Sequence, residues 1–275
     1  MSRAAPTDRS LRTLAGLCRI VALLRGPDGC PWDRIQTHES LRPYLLEETA
    51  EVLEALDRDD PAKLREELAD LLFEIVLHAQ LASERGDFTM PDVIYDVSSK
   101  LVRRHPHVFG DSSASTPEAV IEQWDELKKQ ERGPQSAIAG IPPTLPALAQ
   151  AQALQRRAGK AGFEWEAPAE YWGALSEELA ELKDASEDER AAEAGDALFA
   201  LTNVVRSVGV DAEDALRQAS HRFTKRFIGV ERIAAERGID LESSNLQVRL
   251  DLWEQAKREQ TAEAGDKLSD EGGTT

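Results

Sequence analysis

Residues 44–82 read YLLEETAEVLEALDRDDPAKLREELADLLFEIVLHAQLA, and the fold turns on how this stretch is read. Apolar side chains recur at three- and four-residue intervals on both sides of Pro61, the spacing that places them on one helix face. Two consecutive helices are therefore predicted, over roughly 38–57 and 61–85. The same periodicity continues outward. It predicts helices near 8–25, 90–104 and 116–131, then a second set near 145–160, 168–186, 188–208, 211–237 and 245–260. Clear strand signals are missing: alternating runs are few, and no Asn-Gly hairpin turns join β-branched stretches. Ala, Leu, Glu and Arg dominate a chain with only 5% aromatic residues, and these side chains lose little rotamer freedom in a helix. The expected fold class is all-α.

Between the two sets lies GPQSAIAGIPPTLPALAQ, where Pro134, Pro142, Pro143 and Pro146 deny a continuous helix. The expected organisation is an N-terminal domain over 1–133, a Pro-rich linker over 134–147 and a C-terminal domain over 148–260. Residues 261–275 are polar, lack apolar anchors and are expected to be a disordered tail. The two domains read as one design used twice. The first half carries EETAE (Glu47–Glu51), EELAD (Glu66–Asp70), KLVRRH (Lys100–His105) and WDELKKQE (Trp124–Glu131). The second carries EELAE (Glu177–Glu181), EAGD (Glu193–Asp196), RFTKRF (Arg222–Phe227) and WEQAKREQ (Trp253–Gln260). Order is kept, and the displacements are 130, 126, 122 and 129 positions.

Of 275 residues, 33 are Lys or Arg and 51 are Asp or Glu, a net charge of −18. Such a surface repels a polyphosphate backbone, which excludes general binding of nucleic-acid polymers. A small phosphate ligand remains compatible if cations bridge it to the acids. Cys18 and Cys30 are not spaced for zinc or for a disulfide framework, so both are expected as thiols. The N-terminus lacks the uninterrupted apolar segment of a signal peptide, and no stretch approaches the roughly 20 apolar residues of a membrane span. A soluble, cytoplasmic protein is expected.

The acids carry the chemistry. On a helix, Glu47, Glu48 and Glu51 fall within about a 100° arc, and Glu67 and Asp70 lie about 60° apart on the next helix. Packed antiparallel, the two helices would bring four or five carboxylates into one small volume, and Glu177, Glu178, Glu181, Glu193 and Asp196 repeat the pattern. The plain alternative is a pair of solvated helix faces. Three features weigh against it. LLFEIVLHAQLA after Asp70 and ALFALTNVV after Asp196 are apolar nearly all round, which predicts burial. The Glu193/Asp196 stripe continues as Ala197, Ala200 and Val204, which are packing residues. Finally, the arrangement occurs twice. Crowded carboxylates in a dry place must protonate or take a cation, and an all-oxygen donor set selects Mg²⁺, with Mn²⁺ also compatible.

Downstream basic residues are candidates for phosphate contacts: Lys100, Arg103 and Arg104 in the first half, Arg222, Lys225 and Arg226 in the second. Trp124/Lys128 and Trp253/Lys257 each place an indole one turn from an ammonium, a platform for a base beside a phosphate contact. Solvated faces and packed tryptophans are the competing readings. His105 and His107 flank Pro106, which predicts a turn.

GCPWDRIQTHESLRPYLLEETAEV, EELADLLFEIVLHAQLA, KLVRRHPHVFGD, WDELKKQE and GIPPTLPAL resemble the recurring blocks of the MazG family of nucleoside triphosphate pyrophosphohydrolases, over roughly residues 8 to 260. The resemblance implies a four-helix-type fold for each half, a homodimer, and Mg²⁺-dependent hydrolysis of NTP or dNTP to monophosphate and pyrophosphate. It implies metal positions at Glu48, Glu51, Glu67 and Asp70, with Glu47 beside them, and at Glu178, Glu181, Glu193 and Asp196, with Glu177 beside them. Glu47 and Glu177 are then the candidate bases for in-line attack of a metal-activated water on the α- or β-phosphorus. One departure is Gly195, since Gly inside a helix costs about 1 kcal/mol relative to Ala. Two alternatives stay open: a related all-α hydrolase cleaving dUTP or phosphoribosyl-ATP, and a non-catalytic nucleotide-binding or assembly protein.

Overall fold

The computed structural model describes residues 7–110, 115–132 and 135–271, without the side chains of 125, 128–132 and 263–271. Among the described residues there are thirteen helices and no strand. The chain falls into two compact units, residues 1–133 and 134–275.

The first unit contains α1 (Asp8–Leu11), α2 (Leu14–Arg25), α3 (Pro31–Ile35), α4 (Arg42–Asp57), α5 (Pro61–Arg85), α6 (Met90–Arg104), α7 (Pro106–Phe109) and α8 (Pro117–Arg132). Helix α5 is its spine, packing against α4, α2 and α6. Its start is fixed by Asp60, whose side chain accepts from the N–H groups of Ala62 and Lys63, with Pro61 at the first helical position. Its end is fixed by Gly86 at φ 77°, a left-handed cap open to glycine. Val76, Leu77 and Leu81 on α5 close a core with Val21 and Leu41, and Leu14, Leu17, Cys18, Phe73 and Met90 pack around it.

The second unit contains α9 (Ala147–Lys160), α10 (Pro168–Asp184), α11 (Arg190–Ser207), α12 (Ala212–Glu236) and α13 (Leu246–Glu271). Helices α10 and α11 pair, α9 lies against α11 and α12, and α12 pairs with α13. Tyr171, Leu175 and Val204 form one buried cluster. Val230, Ile233, Ala234, Leu252 and Ala256 form another.

Several elements depart from the sequence reading. The first helix is two, because Thr13 caps α2 by accepting from the Gly16 N–H, and Gly16 lies so close to Ser10 O that a Cβ would overlap it. A short helix, α3, starts at Pro31 where none was expected. Pro106 does break α6, but it then opens the single turn of α7, its fixed φ suiting a first helical position. Helix α13 runs to Glu271 rather than stopping at 260, its continuation being free of Pro and carrying the helix formers Ala262, Glu263, Ala264, Lys267 and Leu268. Residues 272–275 lie outside the described residues. The helices expected to be buried all round are buried on one side: Leu68, Leu72 and Ile75 on α5, and Leu198, Phe199 and Leu201 on α11, are exposed within the chain.

Candidate functional site

Each acidic motif sits on a hairpin of two helices. Only Arg58, Asp59 and Asp60 separate α4 from α5, and Asp59 adopts φ 50°, so the chain reverses at once and the helices run antiparallel. Counting away from that turn, Glu51 and Glu67 are equidistant, and so are Glu48 and Asp70. The acids therefore face one another in pairs. In the second unit residues 185–189 make the turn, and the equidistant pairs are Glu181 with Glu193 and Glu178 with Asp196.

Three carboxylates in each unit offer oxygens within 4.8 Å of one another: Glu48, Glu51 and Glu67 in the first, Glu178, Glu193 and Asp196 in the second. Glu67 is 1% exposed, while Glu48, Glu51, Glu178 and Glu193 are half-buried. Asp70 and Glu181 stand at the exposed margin of their groups, as do Glu47 and Glu177. Burial, followed by the charges of Asp70, Glu51, Glu67 and Glu47, pushes the Glu48 carboxyl above its ordinary range. Glu51 is raised chiefly by Glu67. Glu178 is raised by burial and then by Glu181, Asp196, Glu193 and Glu177.

A buried oxygen of Glu48, Oε2, has no hydrogen-bond partner. An all-oxygen donor set with such an orphaned acceptor fits a hard divalent cation. The first nest also holds its own ammonium, which sequence reasoning missed. Lys63 pairs with Glu67, and with Glu66 at 3.1 Å, and these contacts hold its pKa above the usual lysine value. Its signal was the four-residue spacing from Glu67 on one helix face.

Also missed were Glu74 and His78, which continue the Glu67/Asp70 stripe by one and two turns inside a run that reads as apolar. Glu74 is 5% exposed, and burial together with Glu48 raises its pKa. His78 Nδ1 lies 2.8 Å from His38 Nδ1, with the two rings parallel.

The basic and aromatic candidates are less tightly gathered. Arg103 and Arg104, with Lys100, lie on α6, which packs on α5. Lys100, Arg222 and Lys225 are exposed. Trp124 meets His105 edge to face at 5.0 Å, a contact not foreseen, and the Lys128 side chain lies outside the described residues. In the second unit Arg226 and Trp253 come together, the guanidinium carbon 5.9 Å from the ring centroid while Nε donates to Gln260. Phe223 packs on the same indole, and Lys257 approaches Glu254 at 4.0 Å. Cys18 and Cys30 are free thiols.

Residues 36–109, which contain the whole first nest, match the MazG nucleotide pyrophosphohydrolase domain. The chain is 45% identical over 244 residues to the nucleoside triphosphate pyrophosphohydrolase/pyrophosphatase MazG of Thermotoga maritima, covering 88% of this chain and 94% of that one. This chain belongs to the MazG family. It is also 42% identical over 254 residues to the nucleoside triphosphate pyrophosphohydrolase of Escherichia coli K12, covering 89% and 97% of the two chains. The same-named protein of Mycobacterium tuberculosis is 35% identical over 224 residues, 81% of this chain and 59% of that relative. Similarity to these Thermotoga and Escherichia relatives thus spans both nests, not one alone. No helix among the described residues is long and apolar enough to cross a membrane.

Proposed function

We propose that this MazG protein hydrolyses nucleoside triphosphates, ribo- or deoxyribo-, to monophosphate and pyrophosphate, with Mg²⁺ as the resident cation, and so cleans the cytoplasmic nucleotide pool. The observation that carries the reading is the pair of three-carboxylate groups on helical hairpins, each with oxygens within 4.8 Å. Glu48, Glu51, Glu67 and Asp70 would hold the ion in the first unit, and Glu178, Glu181, Glu193 and Asp196 in the second. A bound divalent ion supplies charge neutralisation for the triphosphate and lowers the pKa of water.

The protein groups do the rest. Glu47 or Glu177, exposed at the edge of its nest, accepts the proton of the attacking water as its oxygen bonds to the α- or β-phosphorus. The α–β bridging P–O bond breaks: attack at the α-phosphorus expels pyrophosphate, and attack at the β-phosphorus expels the nucleoside monophosphate. Lys100, Arg103, Arg104 and Lys128, with Arg222, Lys225, Arg226 and Lys257, hold phosphate oxygens, and Trp124 and Trp253 stack on the base. Arg226, 5.9 Å from the Trp253 ring centroid, supports the pairing of a phosphate contact with an aromatic neighbour in the second unit.

The two units are read as repeats of one design. The working form is read as a homodimer, because the apolar outer sides of α5 and α11 are uncovered in the single chain. The test is a panel of NTPs and dNTPs with Mg²⁺, quantifying monophosphate and pyrophosphate for wild type, Glu48→Gln, Glu178→Gln and the double variant. Pyrophosphate release undiminished in the double variant would overturn the site assignment. Cleavage confined to dUTP or phosphoribosyl-ATP would replace the substrate class.

A further inference from the structure

We infer that Lys63 is a built-in competitor for the cation of the first nest, so that the two units fill at different concentrations of divalent ion, the C-terminal unit first. The inference rests on reading both nests as cation sites.

The contact is direct. Lys63 Nζ pairs with Glu67 Oε1, and Glu67 offers an oxygen within 4.8 Å of oxygens on both Glu48 and Glu51. The ammonium thus engages the most deeply buried acid of the group, while its own side chain stays half-exposed. Its charge also reaches Glu51, where it works against the rise caused by Glu67. An ammonium on Glu67 and a metal ion among the three acids relieve the same crowding. With Lys63 in place, Glu48, Glu51, Glu67 and Asp70 carry one formal negative charge fewer than Glu178, Glu181, Glu193 and Asp196. Seating an ion on Glu67 requires giving up the Lys63 pair, and the affinity falls by what that pair contributes.

Glu66 gives the displaced ammonium a resting place. It lies outside the nest, is exposed, and accepts from Lys63 at 3.1 Å. The two acids stand three and four residues beyond Lys63 on one helix face, so Lys63 can release Glu67 and keep Glu66 by side-chain rotation alone. The hairpin need not open.

The second unit lacks this device. The displacement that takes Glu67 to Glu193 takes Lys63 to Glu189. Glu189 is exposed and engaged with Ser186, whose N–H and hydroxyl donate to its Oε2 at 3.2 and 2.6 Å. Among the described residues no Lys or Arg pairs with the four acids of that nest. An ion arriving there displaces no ammonium. Free magnesium therefore sets which hairpins are loaded: the C-terminal one alone when the ion is scarce, both when it is plentiful.

Calorimetric titration of the nucleotide-free full chain with Mn²⁺ tests this without reference to turnover. Wild type should show two classes of site, the weaker lost in Glu51→Gln and the tighter lost in Glu178→Gln. Lys63→Met should tighten the weaker class by about tenfold and leave the tighter class unmoved, with helix content by circular dichroism unchanged. Lys63→Arg keeps the positive charge and should keep the weaker class weak. A weaker class that does not move in Lys63→Met, that tightens equally in Lys63→Arg, or that belongs to the C-terminal nest overturns the competition. If neither Glu51→Gln nor Glu178→Gln lowers the number of ions bound, the reading of the nests as cation sites fails instead.

Discussion

Lys63 and Glu67 set the terms at the scale of single residues. A carboxylate as enclosed as Glu67 needs a positive neighbour, and an ammonium four residues earlier on the same helix provides one. Lys63→Met should lower the melting temperature of metal-free protein by a few degrees, and added Mg²⁺ should restore most of the loss in differential scanning calorimetry. The pH dependence follows from Glu48, Glu51 and Glu178, whose carboxyls are all raised in the fold. A raised acid stabilises the fold below its unfolded pKa, about 4.3, and that contribution disappears as pH climbs through the folded value. Chelated protein should therefore melt lower as pH rises from about 4 toward neutrality, through the acids' ionisation. The increment in melting temperature produced by Mg²⁺ should grow over the same interval. A metal increment independent of pH would argue against crowding of ionised acids as the cause.

At the scale of elements, the loop between α2 and α4 is held by Arg25. Its side chain is almost wholly buried and reaches Glu84 on α5 at 2.8 Å, as well as the carbonyls of Asp33 and Gln36. Arg25→Met should cost about 1–3 kcal/mol of stability in a denaturant titration, because it strands those carbonyls and Glu84. Limited proteolysis should then cut first within residues 26–36. How much of this was legible varied with how local the cause was. Helix α5 was read to the residue because Asp60–Pro61 and Gly86 punctuate it. The end of α6 was equally plain, with Pro106 stopping it two residues past Arg104. The division of α1 from α2 was not, because it depends on the close approach of Gly16 to Ser10. Which residues of a nest are carboxylates could be read from the letters. Their degree of burial could not, since Glu67 and Asp70 are three residues apart, yet one is enclosed and the other exposed. The His38–His78 bond joins residues 40 apart, beyond the reach of any periodicity.

For the whole molecule, two predictions separate assembly from turnover. Leu198 and Leu201 face outward on α11, and Leu198→Glu should convert a dimer to a monomer in light scattering without lowering helix content by circular dichroism. Should the mass stay unchanged, that face is not the contact. Activity should divide between the units as Glu48→Gln and Glu178→Gln are compared, each removing the share of the hairpin it belongs to. The units differ in one respect that bears on their environment. Four residues before Glu67 stands Lys63, but four residues before Glu193 stands Glu189, an acid that caps Ser186. Among the described residues no Lys or Arg pairs with Glu178, Glu181, Glu193 or Asp196. Without a bound cation, the first unit keeps a tethered ammonium beside its acids, and in the second no Lys or Arg among the described residues takes that place. Starvation for the ion should then loosen the chain in sequence, the C-terminal hairpin giving way at a chelator dose its counterpart still tolerates.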